Sequence, residues 1–410
     1  MSSLAARHEA FIRNILHDKF LLLSESFEIE PIETGKSNHV FLIKLIKPTL
    51  EPLDASNNLF TSPIPVGTSR LLLRIPRENV SLEDSARVRN EVAFLSLARD
   101  ALSPSNVSPI PAVFGWSDSV SDSTFRWILE EWKAGETLTP ERLAGFDDET
   151  QRFVLGQIAT VLQSFQNYQL PQSVVSFGGL TFDDDGIIKS GISTIPCGGP
   201  FPSYREFLHG MCLWQLAASE RSTHLKGWRE YPKLRKRLDA LFADGLDELI
   251  AKVPLQKPTL VHADLDLPNL LFDPTTHRLT AVLDFDFSHI GAPISEHLFS
   301  FLDLNALLSS EANPSGATRK WLLSGFPQKV DSKFRLGKLW DAILSDANVQ
   351  RPSTIEEASH MADIWWFSQE LCQAYWFMDR IVGKKSAEEI ETLKSSDARK
   401  LEKYLKFWGF

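Results

Sequence analysis

Cysteine is scarce: Cys197, Cys212 and Cys372 are the only three in 410 residues, an odd number with no C-x-x-C spacing. That excludes a disulfide framework and a structural zinc site, and it points to a reducing compartment. No run of about 18 apolar residues occurs, so no segment is written to cross a membrane as a helix. The first twenty residues carry His8 and Glu9 where a secretory signal needs an unbroken apolar stretch, so a cytoplasmic location is expected. Positive charge is also short. Lys plus Arg number 43 against 53 Asp plus Glu, a net charge of −10, the wrong sign for a partner with a nucleic-acid backbone or an anionic membrane surface. Neither G-x-G-x-x-G nor G-x-x-x-x-G-K-[ST] is present, which argues against a P-loop enzyme. Internal repeats and low-complexity tracts are missing too.

What remains is the composition of a folded chain, 43% hydrophobic and 23% charged, long enough at about 150 residues per domain for two to three domains or one large two-lobed enzyme. Residues 4–17 place Leu4, Phe11, Ile12 and Ile15 on one side of a helical wheel, a leading amphipathic helix. Three short β-rich segments follow, Phe27–Ile32, Val40–Leu45 and Leu71–Ile75, the pattern of a small antiparallel sheet. Between the last two, residues 48–69 read as an exposed loop inserted in a hairpin. From Ser81 the period becomes helical, up to a breaker segment near residue 102, and Phe125–Glu131 forms a further strand. Beyond Gly135 the text is mostly helical, at 148–168, 203–219, 228–252, 356–383 and 386–407. The fold class is therefore α+β and bilobal: a β lobe over 1–132 and a helical lobe over 133–410 that contains a β-like block at 260–290.

That block is the most informative stretch. His262, Asp264 and Asn269 lie on a loop between two apolar runs, and Asp284 ends the next, so three oxygen-bearing side chains can converge. Phosphoryl transfer from ATP needs this kit: a carboxylate to orient the attacking hydroxyl and take its proton, and an amide plus a carboxylate to hold Mg²⁺ against the phosphates.

The segment His262-x-Asp264-x-x-x-x-Asn269, followed by Leu283-Asp284-Phe285-Asp286, resembles the signature of the aminoglycoside phosphotransferase and choline kinase-like small-molecule kinases, which share the protein-kinase fold. The resemblance implies Asp264 as catalytic base, Asn269 and Asp284 as magnesium ligands and His262 as an organiser of the loop. It implies ATP and Mg²⁺ as cofactors and a small-molecule hydroxyl as acceptor. Upstream, Gly35, Ser37 and Asn38 lie on the turn where the family places its phosphate-approaching loop. Arg74 stands where the family has a phosphate-binding Lys, and Glu91 stands where its pairing glutamate belongs, so an Arg74–Glu91 ion pair is expected. Glu130, Glu131 and Trp132 fall at the hinge that reads the adenine edge.

On the acceptor side, Asp266 and Asp286 are candidates beside the base and the metal aspartate. A helix is expected over Met361–Ile381, with Trp365, Gln369, Cys372, Trp376 and Asp379 as a second stripe. Trp365 and Trp376 could line a pocket for a cation or an aromatic ring. Glu370 and Asp363 favour a cationic acceptor. No obligate protein partner and no nucleic acid or membrane partner are expected. A catalytically silent nucleotide- or partner-binding module is the rival reading, suggested by Arg74. A protein kinase ranks below both, because Asp284-Phe285-Asp286 replaces D-F-G and no A-P-E segment follows.

Overall fold

The computed structural model describes residues 4–32, 37–54, 58–77, 82–102, 108–118, 125–310, 317–378 and 381–410. Helix α1 (Leu4–Phe20) precedes strands β1 (Phe27–Ile32), β2 (Asn38–Leu45) and β3 (Arg70–Pro76), then helix α2 (Arg87–Ala101) and strands β4 (Val113–Ser117) and β5 (Trp127–Glu131). The five strands form one antiparallel sheet in the order β1-β2-β3-β5-β4. Because side chains alternate across a strand, Leu71, Leu73 and Ile75 point together to one face, where Ile12, Leu16 and Phe20 of α1 cover them. The intervening Arg74 turns to the opposite face, toward α2.

Two local expectations need correcting, and one strand, β4, is unread in the sequence. α2 begins at Arg87, not at Ser81. The strand β4 follows directly on the proline-rich breaker, and Gly115 lies at an irregular register in it against Leu129. The 48–69 insertion is not merely an exposed loop. Leu53 and Ile64 form a bridge, Ile64 is fully buried, and the Ser62 N–H donates to Val113 O (2.8 Å), so the insertion covers the free edge of β4. From there Phe60 packs its ring on Phe182 of the large lobe.

The large lobe starts at Gly135, whose φ of +147° and approach to β-structure both require glycine: a Cβ there would stand 2.5 Å from Thr280 Oγ1. It runs through β6 (Glu136–Thr137), α3 (Pro140–Gly145), α4 (Asp148–Asn167), the hairpin β7 (Gly179–Phe182) and β8 (Ile188–Gly191), α5 (Tyr204–Arg221), α6 (Pro232–Ala240) and α7 (Leu246–Ala251). Strands β9 (Thr259–Val261), β10 (Leu270–Phe272), β11 (Leu279–Val282) and β12 (His289–Gly291) follow, then α8 (Pro293–Phe299), α9 (Ala317–Ser324), α10 (Arg335–Asp346), α11 (Ala358–Leu371) and α12 (Ala387–Trp408). The helix expected over Met361–Ile381 ends at Leu371; Ala374–Phe377 is a separate 3-10 turn. Long-range bonds cause the break: Tyr375 Oη and Trp376 Nε1 both donate to Asp397 of α12, the latter at 3.1 Å.

Candidate active site

Two small sheets pin the loop that carries the motif. β9 pairs with β12 and β10 with β11, so the loop from His262 to Asn269 is held at both ends, and Asp284 leaves the end of β11 beside it. The Leu283 N–H donates to Asn269 O (2.8 Å), which stitches the two segments together. Asn269 Nδ2 donates to both Asp264 O and Asp264 Oδ2, each at 2.8 Å, and thereby fixes the carboxylate's orientation. The ring of His262 is buried under the loop. It receives the Asp264 N–H at Nδ1 (3.2 Å), so Nε2 carries the proton and donates to Leu283 O (3.0 Å). Burial pushes this imidazole down to about 4, so it stays neutral and serves as a two-ended brace.

The brace is completed by a residue that sequence reasoning passed over. Glu296 of α8 is 1% exposed and accepts the backbone N–H groups of His262 (2.7 Å) and Ala263 (3.0 Å) together with the Ser300 hydroxyl (2.6 Å). The Ser300 Oγ in turn accepts the Leu265 N–H (2.8 Å). Ala263 sits at a φ of +64°, a conformation that needs such outside support in a residue with a Cβ.

Across the cleft, Arg74 is ion-paired with Glu91 of α2, and its Nε lies 3.0 Å from Glu130 Oε1. All three side chains are nearly fully buried. The side chain of Glu130 thus serves the cation. At the end of β5, where the hinge was expected, the Glu131 N–H is committed to Ala112 O (2.8 Å), and Trp132 lies under the Arg70 guanidinium at 4.7 Å. Gly35 lies outside the described residues. The carbonyl of Ser37 accepts from Arg87 (3.0 Å), while Asn38 Nδ2 donates to Asp286 (2.8 Å).

Asp286 is tied to Arg87 at 3.2 Å as well as to Asn38, so it holds the small lobe to the segment after Asp284 and does not point at open space. Asn90 does the same from α2: its Oδ1 accepts the Leu180 N–H (2.7 Å) and its Nδ2 donates to Ser288 O (2.8 Å). One helix therefore anchors the cation through Glu91 and the aspartate segment through Arg87 and Asn90.

Asp284 sits at a φ of +65°, and among the described residues its buried Oδ1 has no hydrogen-bond partner. Burial first, then the charge of Asp286, pushes its carboxyl well above the usual range, with Arg74 opposing and Asp264 adding to the rise. A buried, unpartnered carboxylate oxygen is costly, and a cation is the natural complement. Asn269 spends its amide nitrogen on Asp264, which leaves its oxygen to accept. Asp266 is raised to about 7, first by burial and then by Asp303 and Asp264. Its carboxylate faces the backbone of residues 302–303, which lowers that rise in part. Among the described residues no group of three or more His, Cys, Asp or Glu is arranged to hold a metal, and none of the helices is long and apolar enough to cross a membrane.

Trp365 lines a cavity beside this site, and Trp376 does not join it. Trp376 is buried against Asp397 and the His224 ring instead. The two acids expected to favour a cation are both engaged, Asp363 with Arg319 (2.7 Å) and Glu370 with Lys400 (3.0 Å). Asp379 lies outside the described residues.

His297, behind the loop on α8, gives a pH prediction. Burial chiefly, with Arg351 adding, holds its ring down to about 4 from 6.5, and its Nε2 lies 3.1 Å from Gln350 O. The unfolded chain takes up this proton below pH 6.5 and the native state only near pH 4, so the contribution is complete above pH 6.5 and is lost as pH falls. His297→Gln keeps a donor but cannot titrate. Its Tm relative to wild type is expected to rise as pH drops from 7 to 4.5, which thermal denaturation at the two pH values checks.

The sequence of residues 28–305 matches the phosphotransferase enzyme family. Solved structures share the fold over nearly the whole chain. The streptomycin–ATP–APH(2″)-IIa ternary complex covers 98% of this chain and 99% of its own at 15% identity, with a TM-score of 0.51. ADP-bound aminoglycoside phosphotransferase APH(2″)-Ib has the same coverage at 16% identity and 0.50. A Ralstonia eutropha JMP134 protein described as an aminoglycoside phosphotransferase covers 97% of this chain and 98% of its own at 16% and 0.51. None of the curated proteins matches this chain. With more than half of its length matched and the bilobal architecture shared, this chain belongs to the phosphotransferase enzyme family.

Proposed function

We propose that this chain is an ATP- and Mg²⁺-dependent phosphotransferase that moves the γ-phosphoryl group to a hydroxyl of a small molecule. The observation that carries the reading is the pairing of an oriented carboxylate, Asp264 held by Asn269, with a buried oxygen of Asp284 that has no partner among the described residues. Asp264 would orient the acceptor hydroxyl and take its proton as the new P–O bond forms. The old bond to the β-phosphate oxygen breaks, and its electron pair leaves with ADP. Arg74, held on both sides by Glu91 and Glu130, would offer a fixed positive charge to the phosphates; a guanidinium never titrates and can fork to two oxygens. His262 and Glu296 would keep the loop in shape while the proton is held at Asp264.

Asn269 and Asp284 would hold Mg²⁺, two protein ligands being what this ion takes when phosphates and waters supply the rest. When bound, the ion would screen the phosphate charges. Asp284→Ala is therefore expected to abolish the rise in Tm that MgATP gives wild type, with at most a small change in the Tm of the free protein. Retention of the full MgATP shift would remove Asp284 from the metal site.

The rival reading, a silent nucleotide- or partner-binding module, draws on one observation: Arg74 is gripped by two carboxylates and is only 7% exposed. It predicts nucleotide binding that is indifferent to Mg²⁺ and no turnover in wild type.

A further inference from the structure

A cavity of about 510 Å³ lies between α5, α11 and the segments flanking β12, a size suited to a small molecule, for which pockets run roughly 300–1,000 Å³. Trp214, Phe287, Phe299, Trp365 and Phe377 wall it. Two of these are chain neighbours of residues that hold the catalytic loop. Phe287 precedes Ser288, whose hydroxyl donates to His262 O (3.2 Å), and Phe299 precedes Ser300, which accepts the Leu265 N–H. Phe299 and Trp365 also pack ring to ring at 4.5 Å, so the cavity and the loop bearing Asp264 share a wall.

The charge of the lining narrows what can enter. Among the described residues that line it there is one carboxylate, Glu83, which accepts the Ser85 hydroxyl (2.6 Å), and one cation, Arg221, so the lining offers a cationic ligand no net negative charge. The Arg221 guanidinium stands 5.4 Å from the centre of the Trp214 ring, so that face already has its cation. A positively charged ligand would meet Arg221 at close range. The acids of α11 that could offset this are paired elsewhere and do not line the cavity. Apolar ring surface, in contrast, is matched on several sides by aromatic walls that favour offset or edge-to-face contact. The amides of Gln215 and Gln369 supply a few polar groups for orientation.

We infer that the acceptor is a predominantly apolar, ring-bearing alcohol or phenol without a fixed positive charge, seated among these aromatic walls. The inference rests on the phosphotransferase reading and specifies its substrate class; it departs from the cationic acceptor that Asp363 and Glu370 suggest from sequence.

The test is calorimetric titration of the full chain, without nucleotide, with 2-naphthol, choline and kanamycin as probes. The expected result is 2-naphthol binding at least tenfold tighter than either cation. Gln369→Trp, which fills the cavity, and Trp214→Ala, which removes one wall, should each weaken it tenfold or more while the protein stays folded by its Tm. If one variant fails to fold, the other decides. Tighter binding of choline or kanamycin, no binding of 2-naphthol up to millimolar concentration, or binding indifferent to the folded variants would each overturn the inference. The stabilisation of wild type by MgATP, measured in parallel, reports the donor half alone. Its absence would count against the phosphotransferase reading, while the 2-naphthol titration would still decide what the cavity binds.

Discussion

Replacing Asp264 by Asn is expected to lower kcat by about 10²–10⁴-fold, the usual contribution of a positioned general base, while MgATP still raises the Tm as in wild type. The substitution is nearly isosteric. Asn269 Nδ2 can still donate to the side-chain oxygen at position 264 and to the backbone carbonyl it now contacts at 2.8 Å. The His262 and Glu296 bonds involve only backbone at this end of the loop, so they are left intact. What disappears is the capacity to take a proton. An effect confined to kcat, with KM for ATP unchanged, marks an interaction made only in the transition state. A matched loss of MgATP binding would instead place Asp264 in the ground-state nucleotide site.

Arg74→Ala is expected to destabilise the fold by about 3–5 kcal/mol, the loss seen when one partner of a buried ion pair is removed. Both carboxylates it serves are about 5% exposed, and among the described residues Arg74 is the cation they pair with. The deficit should depend on pH in a definite sense. Burial raises Glu91 and Glu130 above the ordinary carboxylate value of 4.5 even with Arg74 present, and Arg74 opposes that rise. Without the guanidinium both carboxyls move further up, so the native state of the variant holds protons that the unfolded chain releases. Stability then falls as pH climbs past 4.5 toward the raised native values. Urea denaturation at pH 5 and pH 8 should therefore show a larger deficit at pH 8; an equal or smaller one would mean that the two carboxylates are not held charged by Arg74. Arg74→Lys should fall between, since an ammonium keeps the charge and lacks the fork that engages both partners.

The candidate loop was legible because its chemistry is local. His262, Asp264 and Asn269 fall within eight residues, and the apolar runs beside them are the strands β9 and β10. Arg74 and Glu91 could be matched by position along a strand and the following helix. Glu130 could not, because its inward direction is set by the register of β5 on β3, Leu72 opposite Glu130, which a linear pattern of Trp-Ile-Leu-Glu-Glu does not contain. The brace from Glu296 is hidden for the same reason: its partners lie more than thirty residues upstream. Arg87 and Asn90 are polar residues of α2, yet both are buried because they bond to Asp286 and Ser288 of the large lobe. The break after Leu371 was invisible because the apolar stripe keeps its helical period beyond it, while the bonds of Tyr375 and Trp376 to Asp397 come from α12. Trp376 was lost as a pocket residue with that break, and Trp365, before it, was not.

Whether this chain transfers phosphoryl groups to small-molecule hydroxyls can be read directly by mass spectrometry. A small-molecule extract is incubated with ATP, Mg²⁺ and either wild type or Asp264→Asn, and the two are compared. The expected result is a hydroxyl compound that gains one phosphoryl group with wild type and not with the variant. The same phosphorylated product appearing at equal rate with both proteins would contradict the assignment of Asp264 as the base, and no compound gaining a phosphoryl group with wild type would contradict the proposed reaction.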